Sequence, residues 1–199
     1  MKVVCLDMEG VLTPEIWQHV ARRTRIDDLN LTTRDVKDYR ELMDRRLDIC
    51  EKHGVTLENI QTYISELEVF EGARDLVDWI RERYQLIILS DTFAEFADHF
   101  MKRLGRPSLL CHNISYNPAT QRLEYILRQD NAKAMAVRAM HSLNLRTLAA
   151  GDSYNDIHML KEADAATFFR APANIRDEFP QYGNLNEFED LKEFISNSL

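Results

Sequence analysis

Two acidic residues one position apart, Asp7 and Glu9, follow an apolar run near the start of the chain and precede Gly10, where the backbone can turn sharply. A carboxylate attacks an anionic phosphate only when a cation neutralises the charge between them. Three further clusters carry groups for such chemistry. Ser90-Asp91-Thr92 ends a second apolar run and offers a hydroxyl that can donate to a phosphoryl oxygen. Lys133 opens a helical stretch and is a natural countercharge for phosphate. Gly151-Asp152-Ser153-Tyr154-Asn155-Asp156 follows a third run and provides hard oxygen ligands suited to Mg²⁺.

Taken singly, each cluster has an ordinary explanation. Asp-x-Glu-Gly makes turns, Ser-Asp-Thr can cap a helix beginning near Phe93, and a lysine is usually solvated. Their shared position at the ends of apolar runs is far more specific. It would bring nucleophile, hydroxyl, ammonium and acidic loop to one place.

The elements that must position them are short apolar runs at 3–6, 86–89, 108–111 and 147–150, with a fifth at 165–169. These read as buried parallel strands. Between them lie helical spacings at 73–83, 93–104 and 132–143, and alternation of this kind predicts a doubly wound, Rossmann-like α/β sheet. In such sheets ligands bind beyond the carboxyl ends of the strands, where Asp7, Ser90 and Asp152 all fall. Residues 13–71 are charged and helical without a strand-like run, including an apolar stripe over 35–52. They predict a small helical cap inserted after the first strand, with 1–12 and 72–199 forming the α/β core. A hairpin is expected across 111–127, around Asn117-Pro118, and a final amphipathic helix over 186–199.

Composition excludes other classes. The 199 residues carry a formal net charge of -8, the wrong sign for a nucleic-acid footprint. Three scattered cysteines form neither a disulfide framework nor a zinc ribbon and suggest a reducing, cytoplasmic setting. The first apolar run is too short and too acidic for a signal peptide or membrane span. The six histidines lack metal-ligand spacing and read as surface or packing residues, and Trp17 and Trp79 as core; no P-loop or dinucleotide fingerprint occurs.

The order Asp-x-(Asp/Glu)-Gly, strand-end Ser, Lys, Gly-Asp-x-x-Asn-Asp resembles the haloacid dehalogenase superfamily, over nearly the whole chain. The helical insert resembles the cap of its phosphoserine phosphatases. Pro14-Glu15-Ile16-Trp17 and Leu89-Ser90-Asp91-Thr92-Phe93 are similar to those members that also act as homoserine phosphotransferases. The resemblance implies that Asp7 forms an aspartyl-phosphate while Glu9 serves as acid and then base. It implies Mg²⁺ held by Asp7, the Glu9 main-chain carbonyl and Asp152, with Asp156 in support. Ser90, Asp91, Lys133 and Asn155 would serve the phosphate, and Glu15 and Arg46 the ammonium and carboxylate of phosphoserine. The expected partners are therefore small phosphorylated amino acids, with homoserine as acceptor, acting on a monomer or homodimer.

Glu9 stands where aspartate is commoner, Val11 replaces a threonine, and Asp91-Thr92 replaces a glycine pair, changes expected to slow hydrolysis in favour of transfer. Competing readings are a phosphatase for another small phosphomonoester, a phospho-accepting receiver and an inactive binding module. A receiver would put its accepting aspartate after a middle strand and would lack the Gly-Asp-Ser-Tyr-Asn-Asp loop.

Overall fold

The computed structural model describes residues 1–32, 35–36 and 38–198. In chain order, β1 (Lys2–Leu6) is followed by three helices, α1 (Ile16–Thr24), α2 (Tyr39–His53) and α3 (Leu57–Ile64). Next come α4 (Ala73–Arg83), β2 (Gln85–Phe93), α5 (Ala94–Arg103), β3 (Ser108–Asn117), β4 (Arg122–Ile126) and α6 (Ala132–Ser142). The chain closes with β5 (Arg146–Gly151), α7 (Ile157–Glu162), β6 (Ala165–Phe169), α8 (Ala173–Glu178), β7 (Asn184–Leu185) and α9 (Phe188–Ser198).

The described strands form one seven-stranded sheet in the order β4-β3-β2-β1-β5-β6-β7. Every pairing is parallel except the β3–β4 hairpin. The chain therefore winds outward from β1 in both directions, and the expected doubly wound α/β fold is what forms. Period-two alternation explains the two layers. In β1, Val4 and Leu6 join an apolar cluster with α4, α5 and α9, whereas Val3 and Cys5 join a second with α6, α7 and α8. Leu86 and Ile88 of β2 follow the first pattern, and Leu89 the second.

Two expected boundaries move. The apolar stripe predicted a helix from residue 35, but α2 begins at Tyr39, because the Asp38 side chain accepts the Arg40 and Glu41 N–H groups and so caps the helix there. Asp35 and Val36 instead close a turn on the Thr32 carbonyl; Lys37 lies outside the described residues, as does Leu199 of the expected tail helix. β2 runs past its apolar stretch to include Ser90-Asp91-Thr92, with a register shift against β3 between Leu89 and Phe93. The shift re-aims those polar residues beyond the sheet. No described helix is long and apolar enough to cross a membrane.

Candidate active site

Three adjacent central strands, β2, β1 and β5, deliver the polar clusters to one edge. Asp7 leaves β1 with its N–H donating to the Ala150 carbonyl of β5 at 3.0 Å. Its Oδ1 accepts the Met8 N–H at 2.7 Å and lies 2.9 Å from Lys133 Nζ. Beyond it the chain folds back as the Leu12 and Thr13 N–H groups meet the Met8 carbonyl. Gly10 adopts φ +78°, and a β-carbon there would fall 2.4 Å from the Asp152 carboxylate. The missing side chain is thus a cradle that lets β5's acid approach β1's acid.

Lys133, at the start of α6 and almost fully buried, is the hub of the site. Its Nζ donates to Asp156 Oδ1 at 2.7 Å and stands 3.6 Å from Asp91 Oδ2, besides meeting Asp7. Asp156 is completely buried, and its Oδ2 accepts the Asp152 N–H at 2.9 Å and the Ser153 N–H at 3.1 Å. Burial alone would pull the lysine's pKa down, but Asp156, Asp7 and Asp91 outweigh it and hold the ammonium charged.

One ammonium faces three carboxylates, and Asp152 adds a fourth negative charge beside Asp7. Burial, then Asp156 and Asp152, raise the Asp7 carboxyl well above its usual range against the pull of Lys133. Carboxylate oxygens of Asp7, Asp152 and Asp156 lie within 4.8 Å of one another, all buried. A convergent, oxygen-only, over-acidic cluster beside an empty glycine position suits a small hard cation such as Mg²⁺.

The Glu9 carboxylate turns the other way. Its Oε2 accepts the Ile16 N–H at 2.9 Å, tying the turn after β1 to α1. Burial and Glu15 push its carboxyl up to about 7, against the Ile16 N–H, Arg46 and the Thr92 hydroxyl. Arg46, on α2, is buried with its guanidinium 4.9 Å from the Trp17 ring centroid and Nη2 donating to the Leu31 carbonyl at 2.6 Å. Its Nε is a buried donor with no hydrogen-bond partner among the described residues. Adjacent Arg45 is half exposed and faces Asp28.

Ser90 Oγ accepts the Thr92 N–H at 3.3 Å, which leaves its own proton to be donated. It does not cap α5, which has no side-chain cap. Asn155 Nδ2 donates to Asp91 Oδ2 at 2.8 Å while its Oδ1 accepts the Ser153 hydroxyl, so both ends of the amide are pinned. Burial would raise Asp91, but Lys133, His112 and Asn155 hold its carboxyl well below the usual range. A cavity of about 100 Å³ opens onto Asp7, Glu9, Glu15, Arg46, Ser90, Asp91, Asp152 and Asn155. Lys133 and Asp156 stand immediately behind it. The ten residues singled out from sequence therefore gather at one place.

A family model for haloacid dehalogenase-like hydrolases matches residues 1–164. The chain belongs to the haloacid dehalogenase-like hydrolase family. It is 50% identical to the phosphoserine phosphatase ThrH of Pseudomonas aeruginosa, with 100% of this chain and 97% of that protein covered. It is also 50% identical to a phosphoserine phosphatase of Pseudomonas syringae pv. tomato, covering 100% of this chain and 84% of that one. Its fold superposes on a crystal structure of an apo phosphoserine phosphatase with TM-score 0.77 at 18% identity, covering 98% of each chain.

Within this family framework, three residues at the site were not legible as functional. Trp17 stacks on Arg46. The Tyr39 hydroxyl donates to the Asp91 carbonyl, and His112 is buried against the Asp91 carboxylate. Trp17 and Tyr39 sit on apolar stripes that look like core, and they do pack as core while also touching the site. His112 alone left a signal: it shares a strand face with buried Ile114, where a lone histidine needs a polar partner.

Proposed function

We propose that this protein is a Mg²⁺-dependent phosphoserine phosphatase of the cytoplasm that works through an aspartyl-phosphate on Asp7 and also passes the phosphoryl group to homoserine. The observation that carries this reading is Lys133 Nζ joining Asp7 and Asp156, at 2.9 and 2.7 Å, inside a buried cluster whose acids outnumber it. Full-length similarity to two proteins named phosphoserine phosphatase supports the substrate.

Asp7, Asp152 and the Glu9 main-chain carbonyl would hold the ion, with Asp156 fixing the Asp152–Ser153 backbone behind it. When bound, the ion supplies the positive charge that lets a carboxylate meet an anionic phosphate. The Met8 N–H and Lys133 hold the Asp7 carboxylate in one orientation. Ser90 and Asn155 donate to the phosphoryl oxygens, with Lys133 neutralising the charge spread over them in the in-line transition state. Asp91, itself anionic, serves phosphate by orienting Lys133 and Asn155.

As the Asp7 oxygen bonds to phosphorus, the bond to the serine oxygen breaks and that oxygen takes a proton from Glu9. Water, or the homoserine hydroxyl, then attacks the aspartyl-phosphate, gives its proton to Glu9 and frees Asp7. Arg46 presents its unused Nε–H to the substrate carboxylate, and Glu15 its carboxylate to the ammonium. Residues 13–71 act as a cap and 1–12 with 72–199 as the catalytic core, a division supported by Glu15 and Arg46 lining the same cavity as Asp7 and Asp152.

The test is phosphate release from a panel of phosphomonoesters with Mg²⁺, beside Asp7→Asn, repeated for phosphoserine with homoserine added. Release from phosphoserine that disappears in the variant, with phosphohomoserine among the products, is the expected result. Equal release from unrelated esters would remove the substrate assignment, and no release would remove the enzyme.

A further inference from the structure

His112 belongs to none of the roles above, yet it is 3% exposed and lies in β3 beside a second cavity. The larger cavity, about 810 Å³, is lined by His112 and Lys133 and shares Tyr39, Asp91 and Asn155 with the smaller one that holds Asp7. The main-chain N–H of Arg128 donates to His112 Nδ1 at 3.0 Å. The acceptor nitrogen carries no proton, so the ring proton sits on Nε2. That nitrogen stands 3.7 Å from Asp91 Oδ1.

Asp91 thereby has its two oxygens divided between two tasks. Oδ1 faces the imidazole N–H, and Oδ2 takes the Asn155 amide at 2.8 Å and faces Lys133 at 3.6 Å. Its main-chain carbonyl takes the Tyr39 hydroxyl, and the Tyr39 ring lies tilted against the imidazole with centroids 6.1 Å apart. A carboxylate bound at one oxygen only can rotate. With the imidazole N–H on the far side, Oδ2 stays on the two donors that must meet the phosphoryl group.

We propose that His112 is a positioning residue for phosphoryl transfer, acting through Asp91 to keep Lys133 and Asn155 aligned on the phosphoryl oxygens; this rests on the reading of the site given above. Loss of an outer electrostatic partner of this kind, 3.7 Å from the carboxylate it steadies, costs on the order of 10-fold in activity. Because alignment matters most when charge spreads in the transition state, the loss falls on kcat rather than KM.

Two substitutions separate this role from a purely structural one. His112→Asn keeps an acceptor near Nδ1 for the Arg128 N–H but has nothing that reaches Asp91. His112→Gln places a donor near Nε2 and loses the Arg128 bond. With phosphoserine and Mg²⁺, His112→Asn is expected to lose about 10-fold in kcat with KM within about twofold, and His112→Gln to retain most of it. Orthovanadate, which adopts the trigonal-bipyramidal geometry of the transition state, should bind correspondingly weaker to His112→Asn only, a reading independent of turnover. Adding Asp91→Asn to His112→Asn should cost no more than Asp91→Asn alone, since both remove one linkage.

The reverse order, with His112→Asn at the wild-type rate and His112→Gln impaired, would overturn the inference and leave the enzyme assignment standing. Multiplying losses in the double variant would do the same. Absence of phosphate release from the wild type would bring down the reading of the site and this inference with it.

Discussion

Asp156 lays its carboxylate against the bare α-carbon of Gly151, so closely that a β-carbon there would stand 2.3 Å from its Cγ. That carboxylate holds the Asp152 and Ser153 N–H groups and the Lys133 ammonium. Gly151→Ala should push all three out of place. The expected outcome is a loss of about 10- to 100-fold in kcat on phosphoserine. Overpacking should also cost about 1–3 kcal/mol of stability in denaturant titration. Unchanged kcat would show that Asp156 does not set the positions of the groups it binds.

The crowding of acids makes a prediction that needs no turnover. In metal-free buffer, Asp152→Asn removes one of the negative charges repelling Asp7 and should raise the melting temperature by a few degrees. Mg²⁺ binds the native state alone and should raise the wild-type melting temperature as its concentration increases, with little effect on Asp152→Asn. Calorimetry of both proteins with and without Mg²⁺ checks both signs. Equal rises in the two proteins would place the ion elsewhere.

Glu9 Oε2 accepts the Ile16 N–H at 2.9 Å, and aspartate is one methylene shorter. In Glu9→Asp that bond should break, freeing α1 from the turn after β1 and moving the carboxylate relative to the attacking oxygen. The ratio of phosphohomoserine formed to phosphate released, measured at fixed homoserine, should fall severalfold. A constant ratio would mean that carboxylate length has no part in choosing between water and alcohol.

Arg46 is stacked on Trp17, and its Nε has no partner among the described residues. Arg46→Met should lower kcat/KM for phosphoserine by about 30- to 100-fold, the worth of a charge-assisted hydrogen bond. A phosphomonoester lacking a carboxylate should lose far less. Comparable losses on both esters would assign Arg46 to packing rather than recognition.

Far from the site, at the start of β5, Asp164 Oδ2 accepts the Thr147 N–H at 2.7 Å and lies 3.1 Å from His141 Nε2. The Thr147 N–H, with His141 in support, holds this carboxyl below its usual value despite partial burial. A depressed carboxyl pKa stabilises the native state above the unfolded-state value and loses that contribution as pH falls through the folded one. Asp164→Asn should therefore melt below the wild type at neutral pH, with the gap closing as pH drops below about 4. A gap independent of pH would assign the effect to shape rather than charge.

The sequence by itself determined the winding and the chemistry. Runs such as 86–89 and 147–150 are apolar on both faces and separated by helix-length amphipathic segments, and this pattern has few outcomes other than a parallel sheet covered on two sides. Once β1, β2 and β5 are neighbours, Asp7, Ser90 and Asp152 share an edge, because a strand's end is a local property of the chain. Helix α2 was readable as an amphipathic segment, but its first residue depended on a single side chain, Asp38, closing the cap.

What only the tertiary structure decided are relations between residues far apart in the chain. Burial of Lys133 follows from three acids converging on it from β1, β2 and the turn after β5, whereas its own surroundings in sequence are those of any helical lysine. Which of Arg45 and Arg46 faces inward was set by the packing of α2 against Trp17. The link from His112 through Asp91 to Asn155 spans three separate segments. Side-chain periodicity reports which face of one element is apolar; it carries no record of which polar atom another element will bring within 3 Å.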